Sequence, residues 1–264
     1  MKVFVVDLEK CNGCYGCQIA CKDETVGNEW LPYSMPQPDT GQFWAKVVQK
    51  DHGQVPKVRV EYRPTFCNHC ENCSLADMGA AYRREDGLVI LDPEKATDKA
   101  LVEACPYHAV YWNEELAIAQ KCTGCAHLVD EGKLPHCVDA CATNALFFGE
   151  EEDFAEKIAN AVDDFDIEGT NPRVKYINPM RLFISGEVWD PSEDEIIQGA
   201  LVTLTDAAGE KQQAKTDCYG DFWFKHLKPG TYTIDIEAEG FKGIEGKVVE
   251  LEKSLNIGDF PLAK

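Results

Sequence analysis

The C-terminal third of the chain alternates apolar and polar residues. "LFISGEVWD" (182–190), "GALVTLTD" (199–206), "GDFWFKHL" (220–227) and "GTYTIDIEAEG" (230–240) follow this rhythm, with glycine, proline and aspartate between them. A period of two predicts half-buried strands, and several short strands at this spacing predict a β-sandwich. Phe222 and Phe224 are expected to point into its core, Gly220 to permit a turn, and Pro229–Gly230 to reverse the chain. Trp223 reads as packing. Ahead of these strands the period changes. In the acidic stretch "EEEDFAEKIANAVDDFDIE" (150–168), Phe154, Ile158, Ala159 and Val162 recur at helical spacing. That predicts a surface helix, followed by the proline-bearing connector "NPRVKYINPM" (171–180). The first residues, "MKVFVVDLEK", read as a strand leading into a group of cysteines. At 264 residues the chain exceeds what one compact core usually needs. The expected organisation is a first domain over 1–149, an acidic helix and connector over 150–180, and a sandwich over 181–264.

Composition narrows the function. A net charge of −20 excludes nucleic-acid binding through a basic surface and favours a basic partner surface. No apolar run approaches the roughly 20 residues needed to span a bilayer, so no direct membrane insertion is expected. The N-terminus lacks the apolar core and small-residue cleavage site of a secretory signal. A cytoplasmic location is expected, with export on a partner that carries the signal as the alternative.

The chain has 13 cysteines, and all but Cys218 fall before residue 142 in tight clusters. A disulfide scaffold would be shorter and evenly counted; gaps of two and three residues are metal-site spacing. "CNGCYGCQIAC" places Cys11, Cys14, Cys17 and Cys21 in the C-x2-C-x2-C-x3-C run of bacterial ferredoxins. Three thiolates of such a run grip three corners of a [4Fe–4S] cube, and the fourth, on the following helix, serves a second cube. Gly13 and Gly16 let the backbone wrap closely. Lys22 stands where the run usually has proline. The competing reading is zinc, which takes pairs of C-x2-C and not a run of four. "CTGCAHLVDEGKLPHCVDAC" carries Cys122, Cys125, Cys137 and Cys141, the same run with its middle gap stretched. Alone it is compatible with zinc, with His127 or His136 as spare ligands. Paired with the first run, it gives one cluster on Cys11, Cys14, Cys17 and Cys141, and a second on Cys122, Cys125, Cys137 and Cys21.

"CNHCENC" supplies Cys67, Cys70 and Cys73, but the fourth position of the run is Asp77. Cys105 is followed by Pro106, as the last cysteine of a ferredoxin run often is, yet Lys95, Asp98 and Leu101 stand at the three positions before it. These four losses agree, because all four residues would have held one and the same cluster. Cys105 then completes a third cluster with Cys67, Cys70 and Cys73. Three clusters at four thiolates each use twelve cysteines and leave Cys218 as a free thiol. His69, between two of these ligands, is expected to hydrogen-bond near a cluster and tune it, not to ligate it.

Two ferredoxin pairs with a stretched last run resemble the iron–sulfur (beta) subunits of the DMSO reductase family of molybdenum enzymes. The three-cluster version, with "YRPTFCNHCEN", "AYRREDGLVILDPEKA", "CPYHAVYWNEE" and "QKCTGCAHL", is similar to the small subunits of the pyrogallol–phloroglucinol transhydroxylase and catechol dehydroxylase type. The chain departs from that type in a shorter gap before Cys73. "TDCYGDFWF" with "LKPGTYTIDIEAEGF" resembles the transthyretin-like, or carboxypeptidase-regulatory-like, sandwich. The resemblance implies an α+β chain: a double ferredoxin-like domain with three [4Fe–4S] clusters, then an all-β sandwich. It also implies that catalysis sits on a large molybdopterin partner carrying molybdenum on two pterin guanine dinucleotides, acting on polyhydroxylated aromatics, with this chain as its electron-transfer subunit. No phosphate loop, nucleophile–base pair or paired carboxylates stand in a catalytic frame here. A free-standing polyferredoxin-type carrier and a structural metal protein with the sandwich as a scaffold are the alternatives. The missing fourth cluster implies that no quinone-oxidising membrane subunit docks in the usual way. The sequence reads the same for a transhydroxylase, which needs no net electrons, and for a dehydroxylase, which needs two.

Overall fold

The computed structural model describes residues 1–25 and 43–264. The chain divides into two compact units, Met1–Gln49 with Tyr62–Pro179, and Lys50–Glu61 with Met180–Lys264.

The first unit is organised around the strand Lys2–Asp7. It pairs antiparallel with Leu146–Glu150 and parallel with Val174–Ile177, which in turn pairs with the two-residue strand Ala161–Val162. The sheet buries both faces, so the run Val3-Phe4-Val5-Val6 is apolar throughout instead of alternating. Val3, Val5 and Ile177 face a small core with Phe147, Phe154 and Ile158. Phe4 and Val6 face the other way, where Phe4 meets the edge of Phe66 at 4.8 Å and packs on Phe148 at 4.6 Å in the core that holds the buried cysteines.

The rest of this unit is short pieces hung on cysteine loops. Two hairpins, Ala81–Arg83 with Val89–Leu91 and Val110–Asn113 with Ile118–Lys121, frame it. The helices Gly16–Glu24, Ser74–Asp77, Ala126–Asp130 and His136–Asp139 each begin at or near a cysteine, and Ala100–Ala104 ends on Cys105. Helices of four or five residues are not stable by themselves; what their ends are fastened to must hold them.

The expected single helix over 150–168 does not form. Glu151–Phe154 is a 3₁₀ turn, Ala155–Ile158 one turn of α-helix, and Ala161–Val162 is already a strand paired with Tyr176 and Ile177. Phe154 and Ile158 cover the sheet from two turns alone, and the aspartates at 163, 164 and 166 are weak helix formers. The helical spacing was real but needed only two turns. The "connector" likewise supplies the strand Val174–Ile177 to the central sheet.

The second unit is the expected sandwich. Leu182–Asp190 pairs with Asp221–Leu227, with Glu195–Ile196 and, in parallel, with Leu255–Pro261. The second sheet runs Lys211–Lys215, Leu201–Asp206, Gly230–Glu237, Ile244–Leu251. Phe222 and Phe224 lie in the core with Ile184, Val188, Leu204 and Ile234, and Gly220 makes its turn at φ 77°. Gly186 has no room for a side chain: a Cβ there would stand 2.6 Å from the Phe222 ring.

Candidate metal centre

All thirteen cysteines are free thiols, and twelve fall into three groups of four. Cys17 lies within electrostatic reach of Cys11, Cys14 and Cys141. Cys137 lies within reach of Cys122, Cys125 and Cys21. Cys70 lies within reach of Cys67, Cys73 and Cys105, so Cys73 joins its group despite the unusual gap before it. Electrostatic reach also crosses between the groups: Cys137 feels Cys17, and Cys122 feels Cys67. They form a row with the Cys122 group in the middle.

The loops that present these thiols repeat one backbone device. The third residue of each leading C-x-x-C takes a left-handed conformation: Gly13 at φ 71°, His69 at φ 45° and Gly124 at φ 64°. The turn aims successive N–H groups inward, and glycine is the usual residue there because it has no Cβ. A Cβ at Gly13 would stand 2.4 Å from the Tyr62 ring, and one at Gly124 2.6 Å from Leu88. A second device follows the distant cysteines. Cys105 is followed three residues on by left-handed His108, and Cys141 by left-handed Asn144. In each case the N–H groups two and four residues beyond the cysteine, Tyr107 and Ala109 or Thr143 and Ala145, point at its sulfur. Cys105 and Cys141 are therefore structural counterparts.

Electrostatics test what these groups can hold. Burial first, then the neighbouring thiols, push Cys17 up to about 12; burial raises Cys21 to about 11 and Cys70, with its neighbours, to about 12. Burial and its neighbours push Cys137 well up. Burial also raises Cys141, but the N–H groups of Ala145, Leu146 and Thr143 outweigh it and bring the thiol below its usual value. N–H donors are in place for thiolates: Gly124 N–H on Cys122 Sγ at 3.3 Å, Ala145 N–H on Cys141 Sγ at 3.2 Å, His69 N–H on Cys67 Sγ at 3.4 Å. Buried, mutually repelling thiolates with donors ready for them require a polycationic guest. Around one tetrahedral zinc, sulfurs at about 2.3 Å from the metal stand about 3.8 Å apart. Among the described residues, no three His, Cys, Asp or Glu side chains close to single-ion spacing. The wider four-thiol groups suit an iron–sulfur cube.

The four positions that lack cysteine have other work. Lys95 pairs with Asp92 at 2.9 Å on the surface, the Asp98 carboxylate accepts the Ala100 N–H at 2.9 Å, and Asp77 ends its short helix in solvent. Leu101 is buried with Leu75, Ala80 and Ala96. Ser74 Oγ donates to the Ala104 carbonyl at 2.7 Å, fastening the two short helices to each other. An apolar plug thus stands between these helices.

Arg173 and Lys121 escaped the sequence, and His69, expected to hydrogen-bond near a cluster, proves completely buried. Arg173 is buried and reaches Glu71 at 3.1 Å, Glu151 at 2.7 Å and the Lys2 carbonyl at 2.9 Å. The segment around it clamps the "CNHCENC" loop: Arg173 N–H to Asn68 O, Glu71 N–H to Asn171 O, Asn72 N–H to Thr170 O, and the Thr170 side chain to Cys70. Lys121 is a buried ammonium directly before Cys122. His69 is fully buried, with its ring beside Cys122 and its backbone N–H on Cys67. Only His69 left a signal, as the residue standing where the other two loops have glycine. His127 and His136, the spare zinc ligands, instead meet Glu24 at 2.7 and 2.8 Å. Cys218 is exposed in the sandwich and joins no group.

Residues 58–151 match the 4Fe-4S dicluster domain, and residues 184–262 the carboxypeptidase regulatory-like domain. The pyrogallol hydroxytransferase small subunit of Pelobacter acidigallici is 37% identical over 96% of this chain and 96% of its own length. A tetrathionate reductase subunit of Salmonella typhimurium is 32% identical over 69% of this chain and 74% of its own. A putative dimethyl sulfoxide reductase iron–sulfur subunit of Halobacterium salinarum is 30% identical over 66% of this chain and 78% of its own. With its cysteine groups, its sandwich and near end-to-end similarity to the hydroxytransferase small subunit, the chain belongs to the iron–sulfur electron-transfer subunits of the DMSO reductase family of molybdenum enzymes.

Proposed function

We propose that this chain carries three [4Fe–4S] clusters, held by Cys11, Cys14, Cys17 and Cys141, by Cys21, Cys122, Cys125 and Cys137, and by Cys67, Cys70, Cys73 and Cys105. It docks on a large molybdenum bis-pterin subunit acting on polyhydroxylated aromatics, in a transhydroxylase or catechol dehydroxylase. The observation that carries the reading is the row of three four-thiol groups, linked through Cys17 with Cys137 and Cys67 with Cys122. Each cluster, when bound, supplies a site that accepts and returns one electron. The chain's own residues do the rest. The left-handed turns at Gly13, His69 and Gly124 present the thiolates, backbone N–H groups carry part of their charge, and burial keeps water from the middle group. The substrate class rests on the likeness to the hydroxytransferase small subunit.

The test is anaerobic purification with the partner, followed by metal analysis and turnover. About twelve irons on this chain, four per cluster, with molybdenum on the partner and activity on pyrogallol or catechols, is the expected result. Activity that needs no electron donor identifies a transhydroxylase; strict dependence on a donor identifies a dehydroxylase. Zinc in place of iron, or about eight irons, would overturn the assignment.

A further inference from the structure

His69 occupies a position that the other two loops give to glycine, in a left-handed conformation that suits a bulky residue poorly. Something must repay that strain. Its ring is completely buried, stacked near Phe4 at 6.1 Å, and its two nitrogens have different partners. Nδ1 accepts the Val89 N–H at 3.0 Å, so Nδ1 carries no proton. A neutral imidazole must then carry its proton on Nε2. Nε2–H stands 3.9 Å from Cys122 Sγ, in the middle group, while the same residue's backbone N–H donates to Cys67 Sγ in the next. One residue thus donates to a ligand of each of two neighbouring groups.

Lys121 completes the arrangement. Its ammonium is buried and donates to the Val89 carbonyl and, at 3.0 Å, to the Cys122 carbonyl. Among the described residues no carboxylate pairs with it. An isolated ammonium in an apolar interior is costly unless a counter-charge lies close. Lys121 lies within electrostatic reach of the Cys122 sulfur in the middle group. Val89 ties the two together: its N–H holds His69 and its carbonyl holds Lys121.

We propose that His69 and Lys121 together stabilise added negative charge at Cys122 Sγ, His69 as a neutral hydrogen-bond donor that bridges the Cys122 and Cys67 groups and Lys121 as a buried positive charge beside Cys122. This rests on the cluster assignment above and adds a positioning role for two residues that ligate nothing. A donor hydrogen bond and a buried cation both favour the more negative, reduced state of whatever Cys122 holds. Removing either makes reduction harder.

The experiment is EPR-monitored redox titration of the anaerobically purified complex, with iron analysis alongside. Variants are His69→Gly, which keeps the left-handed turn, Lys121→Met, and Lys121→Arg as the charge-conserving control. Each of the first two is expected to lower the one-electron reduction equilibrium of one cluster about tenfold, about 59 mV, with about twelve irons retained. Lys121→Arg should restore most of it. Unchanged potentials in both variants with full iron would overturn the proposal and leave the cluster assignment intact, whereas a wild-type count other than about twelve would overturn the assignment itself. A second readout does not depend on the variants folding. Pulsed EPR of the reduced wild-type complex carrying histidine labelled with 15N in the imidazole ring alone should show a ring nitrogen coupled to one cluster, and absence of that coupling would refute the bridge.

Discussion

Replacing Arg173 with methionine should loosen one cysteine group and spare the other two. The guanidinium is 7% exposed and donates to Glu71 at 3.1 Å, Glu151 at 2.7 Å, and the carbonyls of Lys2 at 2.9 Å and Met1 at 3.3 Å. Hydrogen bonds to charged groups contribute roughly 1.5–3 kcal/mol each. That sum overstates the loss, because the Glu71 and Glu151 side chains are 38% and 43% exposed and regain water when the arginine goes. Two backbone carbonyls regain little. A net loss of about 3 kcal/mol follows, at the lower end of the range for a broken buried pair. In a unit of this size that is a melting-point fall of about 6–12 °C. The damage is local. Arg173 N–H holds Asn68 O, and the neighbouring Thr170 and Asn171 carbonyls hold Asn72 and Glu71, so the slack reaches Cys67, Cys70 and Cys73 first. Anaerobic thermal unfolding and iron retained under a mild chelator should show about four irons leaving early in Arg173→Met. Arg173→Lys, with the charge but not the fork, should fall between. A melting point within about 1 °C of wild type, with iron lost evenly from all three groups, would refute the idea that this clamp holds the loop.

Cys218→Ser should leave iron content and unfolding unchanged, since this exposed thiol joins no group; loss of iron would overturn the ligand assignment. Leu101→Ala should cost about 2–4 kcal/mol by denaturant unfolding, because Leu101 is 2% exposed in the plug between the short helices; a cost under about 1 kcal/mol would mean that the plug is not packed. The metal-free chain should lose stability in alkali. Burial holds Cys17 and Cys70 at about 12 and Cys21 at about 11 against an ordinary 9.0. A raised thiol favours the protonated fold, so its contribution is complete below the unfolded value and is lost as pH rises towards the folded one. The urea midpoint of metal-free protein should therefore fall between about pH 9 and pH 12, and a midpoint that rises over that range would contradict the sign.

The grouping of the thiols in fours was legible because cysteine spacing constrains geometry directly. Thiols two residues apart must converge, and the losses at Asp77, Lys95, Asp98 and Leu101 read as one event because one cluster would have used all four. The sandwich was legible because period-two alternation maps onto strand faces, and Phe222 and Phe224 lie where it puts them. The acidic stretch misled for a physical reason. Phe154 and Ile158 stand four apart on two consecutive helical turns, and spacing alone cannot tell two turns from five. Tyr176 decided it, by pairing with Val162 as a strand. Arg173 and Lys121 were invisible because an arginine or lysine near apolar residues usually sits at the surface with its stem buried. Their burial is decided by partners far along the chain: Lys2 lies 171 residues from Arg173, and Val89 lies 32 from Lys121.

The exposure of the three groups gives the inner polar residues their reason. Cys21, Cys122, Cys125 and Cys137 are 6%, 8%, 9% and 7% exposed, whereas Cys14 is exposed and Cys11, Cys70, Cys73 and Cys141 are half-buried. Solvent, or a docked surface, can adjust charge around the end groups. Neither reaches the middle one, so its environment must be written into this chain. The left-handed turns at Gly13, His69 and Gly124 serve the three leading loops alike. His69 and Lys121 are polar side chains buried beside the middle group and supply what that shared turn does not. The strain of a histidine in a glycine position, and the burial of an ammonium with no carboxylate partner among the described residues, are two costs met at one place. Each is hard to explain by packing alone, and both are explained if that place must carry extra negative charge.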